Sequence, residues 1–186
     1  MTTHCTNNAA DRDLGAYWER RFCELASNRG VYLTPLQLVS SGTSAAAFHK
    51  RTDGSWHHLT LPDVTIWTAP GEHHEIKHKR PTPSGDYGLE VYRLNALLGF
   101  ARETQQEVLY TIHDWSRAGA KGSRDDMRNS IEDWVTIPVK MLEGKGRRVK
   151  FPTWKGGRKV NDEPGYLWPA SMWFDLSFWW ADRKVA

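Results

Sequence analysis

Residues 61–80 read LPDVTIWTAPGEHHEIKHKR. Pro70-Gly71 is a turn signal, and the run from Glu72 to Lys79 beyond it reads as a strand. Charged groups are costly to bury unless they are paired, neutralised or bound to a metal. The hairpin therefore either lies with its charges in water or assembles a site. Residues two apart on a strand share a face, so Glu75 and Lys77 point together while Ile76 and His78 point the other way. With pairing centred on the turn, Asp63 approaches Glu75 across the hairpin. Two neighbouring carboxylates repel unless a cation sits between them. A few hard oxygen ligands, with room left for phosphate and water, suit Mg²⁺, and Mn²⁺ is expected to substitute for it. An adjacent lysine polarises a water against a phosphodiester and offsets charge in the transition state. The chemistry that fits is metal-assisted hydrolysis.

The three-residue pattern of an acid, any residue and lysine is short enough to recur by chance. It does so at Glu143-Gly144-Lys145, in a Gly-rich basic stretch, and at Asp182-Arg183-Lys184, at the end of the sequence. Only the copy at Glu75 follows a Pro-Asp and a turn and precedes a helix and a further strand. The competing reading of that copy is a solvated hairpin with complementary cross-strand charges.

The surrounding chain reads as one unit. A loose tail is expected over 1–12 and a single domain over 13–186, with a core to about 115 and a C-terminal extension from about 116. Leu14, Trp18, Phe22 and Leu25 make one apolar helical seam, with Asp13 as its N-cap and Gly30 just past its end. Val31 to Leu33 reads as a short strand, or Thr34-Pro35 as the start of a helical turn. Residues 45–51 and 55–68 read as strands around a turn at Thr52-Asp53-Gly54, making a meander of two or three strands with Glu72–Lys79. The stretch 87–104 reads as a helix with Leu94, Leu97, Leu98 and Ala101 inward, and 107–115 as a strand in which Val108, Tyr110 and Ile112 alternate. Helix, meander, helix and strand make an α/β sandwich. Beyond it, 117–126 reads as loop, 127–142 as a short helix and an extended piece, and KGRRVKFPTWKGGRK (145–159) as basic and turn-rich. The aromatic C-terminus is expected to pack strands or a helix onto the same domain.

Here the sequence resembles the PD-(D/E)XK nuclease superfamily: Asp63 after Pro62, then Glu75-Ile76-Lys77, then a helix and a strand. GAYWERRFCELASNRG (15–30) is similar to the first helix of archaeal Holliday-junction resolvases in Gly15, Glu19, Arg20, Leu25 and Gly30, and Ser41-Gly42 to the Ser-Gly that follows it there. The resemblance spans about residues 15–113. It implies a restriction-endonuclease-like core of helix, antiparallel β-meander, helix and strand, with a Trp-rich C-terminal extension that has no counterpart. It also implies that Asp63, Glu75 and the carbonyl of Ile76 hold the metal, that Lys77 is the catalytic lysine, and that Glu19 completes the site. Glu19 flanks the apolar seam and so can reach around the core edge; Glu24 flanks its other side and is the second choice. Superfamily members often carry a further polar residue on the helix after the lysine strand. Tyr92 and Arg93 are the candidates, against the simpler reading of a solvated helix face.

Other side chains extend or limit this reading. Lys79 and Arg80 lie just beyond the site, positioned for a DNA backbone, and Arg147, Arg148 and Lys150 are interleaved with Phe151 and Trp154 in a way that tracks phosphates. His73 shares the face of Glu75 and Lys77 and is an accessory candidate beside Ser41, although a surface histidine is the simpler reading. Neighbouring strand histidines point to opposite faces, so neither His57-His58 nor His73-His74 chelates as a pair. Cys5 and Cys23 are too few for a disulfide framework, the N-terminus has no signal-peptide pattern, and residues 166–181 are too short to span a bilayer. The expectation is a cytoplasmic or nucleoid-associated protein with DNA as partner, no membrane, and a possible homodimer through the Trp-rich end. The alternatives are a restriction-like or phage DNA-processing nuclease and a non-catalytic DNA-binding module of the same fold.

Overall fold

The computed structural model describes residues 9–30, 33–35, 46–50, 56–67, 71–118, 129–155 and 158–181. The turn expected at Thr52-Asp53-Gly54, Ser41 and most of the loop expected at 117–126 lie outside them.

Helix α1 spans Ala9–Asn28 and begins four residues before the expected Asp13. Ala9 and Ala10 are strong helix formers, and Asp13 suits the first turns of a helix. The helix ends through Gly30, whose φ of 73° few other residues adopt, and its amide donates to the Ser27 carbonyl.

The main sheet runs in the order β1 (Leu33–Pro35), β4 (Val64–Ile66), β5 (Glu72–Lys79), β7 (Glu107–Asp114), β8 (Trp134–Pro138) and β11 (Phe174–Asp175). The expected meander divides: β2 (Ala46–Lys50) and β3 (Trp56–Thr60) form a hairpin of their own, and only β4 pairs with β5, antiparallel. β5 and β7 are parallel, joined by a crossover that contains helix α2 (Val91–Thr104). Helix, antiparallel pair, helix and parallel strand make the restriction-endonuclease-like core. The C-terminal extension joins the same sheet through β8 and β11, with a short helix (Leu176–Ala181) beyond. No helix among the described residues is long and apolar enough to cross a membrane.

Both faces of the sheet are covered. On one, Trp18, Phe22 and Ala26 of α1 pack on Val64, Ile66, Ile76, Trp134 and Leu176. On the other, Leu94, Leu97, Leu98 and Ala101 of α2 pack with Val108, Tyr110, Ile112, Val135 and Ile137. This is why seven of the eight residues of β7 are buried instead of alternating with water-facing positions.

Two expectations are corrected here. Residues 87–90, expected as the start of a helix, belong instead to strand β6 (Asp86–Glu90), with Tyr87 and Leu89 buried alternately. The basic stretch is not a loop but strand β9 (Arg147–Lys155), paired with β10 (Arg158–Pro169), which also pairs with β6 to make a second sheet. A helix at 87–90 would give up the ladder to β10. Val149, Phe151 and Thr153 repeat with strand period, and main-chain pairing outweighs the turn-like composition.

Candidate metal centre

Asp63 stands at the entry to β4 and Glu75 at the middle of β5, so the register that pairs Val64 with His74 brings their carboxylates together. Both side chains are buried. Asp63 Oδ2 accepts from the Ile76 amide at 2.6 Å, which fixes it against the strand. Lys77 follows on the same face as Glu75. Its Nζ lies 2.6 Å from Glu75 Oε1, 2.9 Å from the Ile76 carbonyl oxygen and 3.5 Å from Asp63 Oδ2. The oxygens expected to hold a metal thus converge on one positive charge, the chain's own ammonium.

The electrostatics follow from this crowding. Burial, then the charge of Glu75, pushes the Asp63 carboxyl up to about 7, against the pull of Lys77. Burial also pushes Glu75 up, but Lys77 and Arg93 outweigh it and hold that carboxyl below its ordinary range. Burial disfavours the Lys77 charge, and Asp63 and Glu75 more than restore it. Glu19 sits half-buried on α1, raised by burial and acted on by both Lys77 and Glu75, so it belongs to the same charge cluster. Glu24 does not join it: exposed on the same helix, it pairs with Arg21 at 3.0 Å.

Arg93 departs from its simpler reading as part of a solvated face. Its guanidinium donates to Glu75, and its Nε lies 3.9 Å from Glu90 Oε2. The spacing of Glu90 and Arg93, three apart, was the signal available. Tyr92 remains exposed. Lys79 turns inward instead of outward to a DNA backbone, donating to the Gly88 carbonyl at 2.8 Å with its ammonium 5.7 Å from the centre of the Tyr110 ring. Arg80, Arg148 and Lys150 are exposed, and Arg147 pairs with Asp86 at 3.0 Å.

The histidines of β5 serve the interior. His73 is buried, not on the surface; its ring contacts Thr65 and Gln106 and packs edge-on against Phe100. On the opposite face His74 links Glu72 to Thr111, at 3.0 and 2.8 Å. His78 and His113 meet at 2.9 Å between their Nδ1 atoms, and Trp18 stacks on both. The side chains of His57 and His58 lie outside the described residues.

Among the described residues no three His, Cys, Asp or Glu side chains cluster as a metal site. A cation here would take Asp63, Glu75 and a backbone carbonyl, an all-oxygen set of the kind hard divalent ions accept. Each partner is set by the main chain: the β4–β5 register, strand parity, and the Ile76 amide on Asp63.

No family model matches this chain, and no curated protein matches it either. Among solved structures it is similar to Hjc, a Holliday junction resolvase from the archaeal hyperthermophile Archaeoglobus fulgidus. The two are 15% identical with a TM-score of 0.45, over 85% of this chain and 90% of that one.

Proposed function

We propose that this chain is a Mg²⁺-dependent DNA endonuclease of the PD-(D/E)XK type. One observation carries the reading: Asp63, Glu75, the Ile76 carbonyl and Lys77 converge at one point of the sheet. Asp63, Glu75 and the Ile76 carbonyl would hold the ion, with Glu19 of α1 in the same charge cluster. When bound, the ion polarises the phosphodiester and lowers the pKa of a coordinated water. Lys77, displaced from its resting contacts, donates from Nζ to the attacking water or to a phosphoryl oxygen and offsets the charge that develops there. Arg93 holds Glu75 in place and keeps its carboxylate ionised. Water oxygen bonds to phosphorus, the bond from phosphorus to the 3′ oxygen breaks, and the water proton is passed on to that oxygen. The products are 5′-phosphate and 3′-hydroxyl ends.

Branched DNA of the Holliday-junction kind is the first substrate to try, as the resemblance in residues 15–113 implies. Cutting two strands takes two such sites, so a homodimer is the expected working assembly. The test is cleavage of branched, duplex and single-stranded DNA with Mg²⁺, Mn²⁺ or EDTA. Metal-dependent nicking that Asp63→Ala and Glu75→Ala abolish supports the reading. DNA binding without cleavage under any metal would make the chain a non-catalytic module.

A further inference from the structure

The chain's positive charge is unevenly spread. Residues 145–163 carry seven Lys and Arg against two acids, a net +5 where the whole chain is +3, so everything outside them is net −2. Most of that segment is β9 and the first half of β10. Arg148, Lys150, Arg158 and Lys159 are exposed along it. Arg147 and Lys159 pair with Asp86 and Asp162, at 3.0 and 2.8 Å, in surface contacts of the kind that contribute little and yield to another anion.

The two strands leave the body beside the metal centre. β6 ends at Glu90, which pairs with Gly165 of β10. Beyond that rung β9 and β10 run on as a ribbon without β6, from Pro164 opposite Lys150 to Arg158 opposite Lys155. That stretch spans about 20 Å at the rise of a strand. Glu90 Oε2 lies 3.9 Å from Arg93 Nε, and Arg93 contacts Glu75, so a single arginine links the root of the ribbon to a proposed metal ligand. Register and strand parity put Arg148 and Lys150 on one face and Arg158 on the other.

The make-up of the ribbon selects its partner. β9 is the outer strand of its sheet, and Pro152 within it has no N–H to give, which does not suit pairing with a further strand. Among the described residues Val160 is its one exposed large apolar side chain, too little to enter a lipid surface. Cations on both faces suit phosphates on both walls of a groove, and the major groove of duplex DNA, about 12 Å wide, admits a two-stranded ribbon.

We propose that the β9–β10 ribbon is a duplex-DNA arm, lying in the major groove beside the metal centre with Arg148, Lys150 and Arg158 on backbone phosphates. The inference rests on the nuclease reading for its substrate and adds where that substrate is gripped, on paired DNA flanking the cut. Phosphate contacts fix register without reading bases, so the arm holds duplex of any sequence.

The test is equilibrium binding to a blunt DNA duplex without divalent metal, over a range of salt. The combined variant Arg148→Ala, Lys150→Ala and Arg158→Ala should lower the slope of log affinity against log salt by about three, one per phosphate contact, and weaken binding about tenfold or more at about 0.1 M salt. Glutamine at the same three positions, which keeps a long side chain and removes the charge, should do the same. A charge-matched control at exposed positions off the ribbon, Arg29→Ala with Arg102→Ala and Lys140→Ala, should shift the slope by less than about one. Thermal melts check that the variants fold. Double-stranded RNA, whose major groove is too narrow for the ribbon, should bind more weakly than DNA. An unchanged slope in the folded ribbon variants, an equal loss in the control, or ribbon-dependent binding to double-stranded RNA as tight as to DNA overturns the arm. Ribbon-dependent binding to phosphatidylserine vesicles with none to DNA does so too. Ribbon-dependent DNA binding without cleavage under any metal overturns the nuclease reading and leaves the arm standing.

Discussion

Lys77 Nζ lies 2.6 Å from Glu75 Oε1, so the strand that supplies a carboxylate proposed to hold a metal also supplies a cation that would compete for it. The ammonium offsets the charge of the buried acids, and a divalent ion would have to displace it. Lys77→Ala is therefore expected to bind Mg²⁺ about tenfold more tightly than wild type, because one repelling charge is gone. Calorimetric titration checks this; weaker Mg²⁺ binding in the variant would mean that Lys77 does not share oxygens with the ion.

Asp63 makes stability depend on pH. Its carboxyl stands at about 7 in the fold against an ordinary 3.8, so the folded state holds the proton more tightly than the unfolded chain does. The stabilisation from that proton is complete below about pH 4 and lost as pH rises through about 7. Metal-free wild type should lose melting temperature relative to Asp63→Asn between pH 5.5 and pH 8. Mg²⁺ should raise the wild-type Tm more at pH 8, where the carboxylate is ionised. Thermal melts of both proteins at the two pH values, with and without Mg²⁺, read both effects.

Glu72 anchors the C-terminal helix to the strand that bears the site. Its carboxylate is fully buried and accepts from the indole N–H groups of Trp179 at 3.0 Å and Trp180 at 3.2 Å, with His74 Nε2 3.0 Å away. Glu72→Ala leaves those groups facing a void and should cost about 3–5 kcal/mol, measurable by urea unfolding. Glu72→Gln keeps an acceptor for the indoles and should cost less.

Much of the site is written locally. Strand parity around Glu75 and Lys77, together with a turn before them, is enough to bring Asp63 within reach of both. The seam of Trp18 and Phe22 is equally local and sets the face that α1 buries. Arg93 was a candidate set against the simpler reading of a solvated face; what decides its role is a contact with Glu75 on β5, eighteen residues back, which the pattern of its own helix does not announce. The Lys, Arg, Gly and Pro of 145–159 signal turns, and only the hydrogen bonds supplied by β10 make a strand of them. His78 meeting His113 is a contact between parallel strands far apart in sequence, and nothing local announces it.

Gly165 is required by the ring that covers it. A methyl group there would stand 2.1 Å from Phe151 and 2.9 Å from the Leu89 carbonyl oxygen. Gly165→Ala should destabilise the fold by about 1–3 kcal/mol, as overpacking does, and displace Phe151 from the sheet. Urea unfolding should register the change.

The central claim is that Asp63, Glu75 and Lys77 form a hydrolytic metal centre. The most direct test is cleavage of labelled branched and duplex DNA by wild type and Lys77→Ala, with Mg²⁺ and with EDTA. Wild type should cut with Mg²⁺ and not with EDTA, leaving 5′-phosphates, and Lys77→Ala should cut at least about a hundredfold more slowly while still binding DNA. Cleavage by Lys77→Ala at the wild-type rate, or wild-type cleavage that persists in EDTA, would contradict the account.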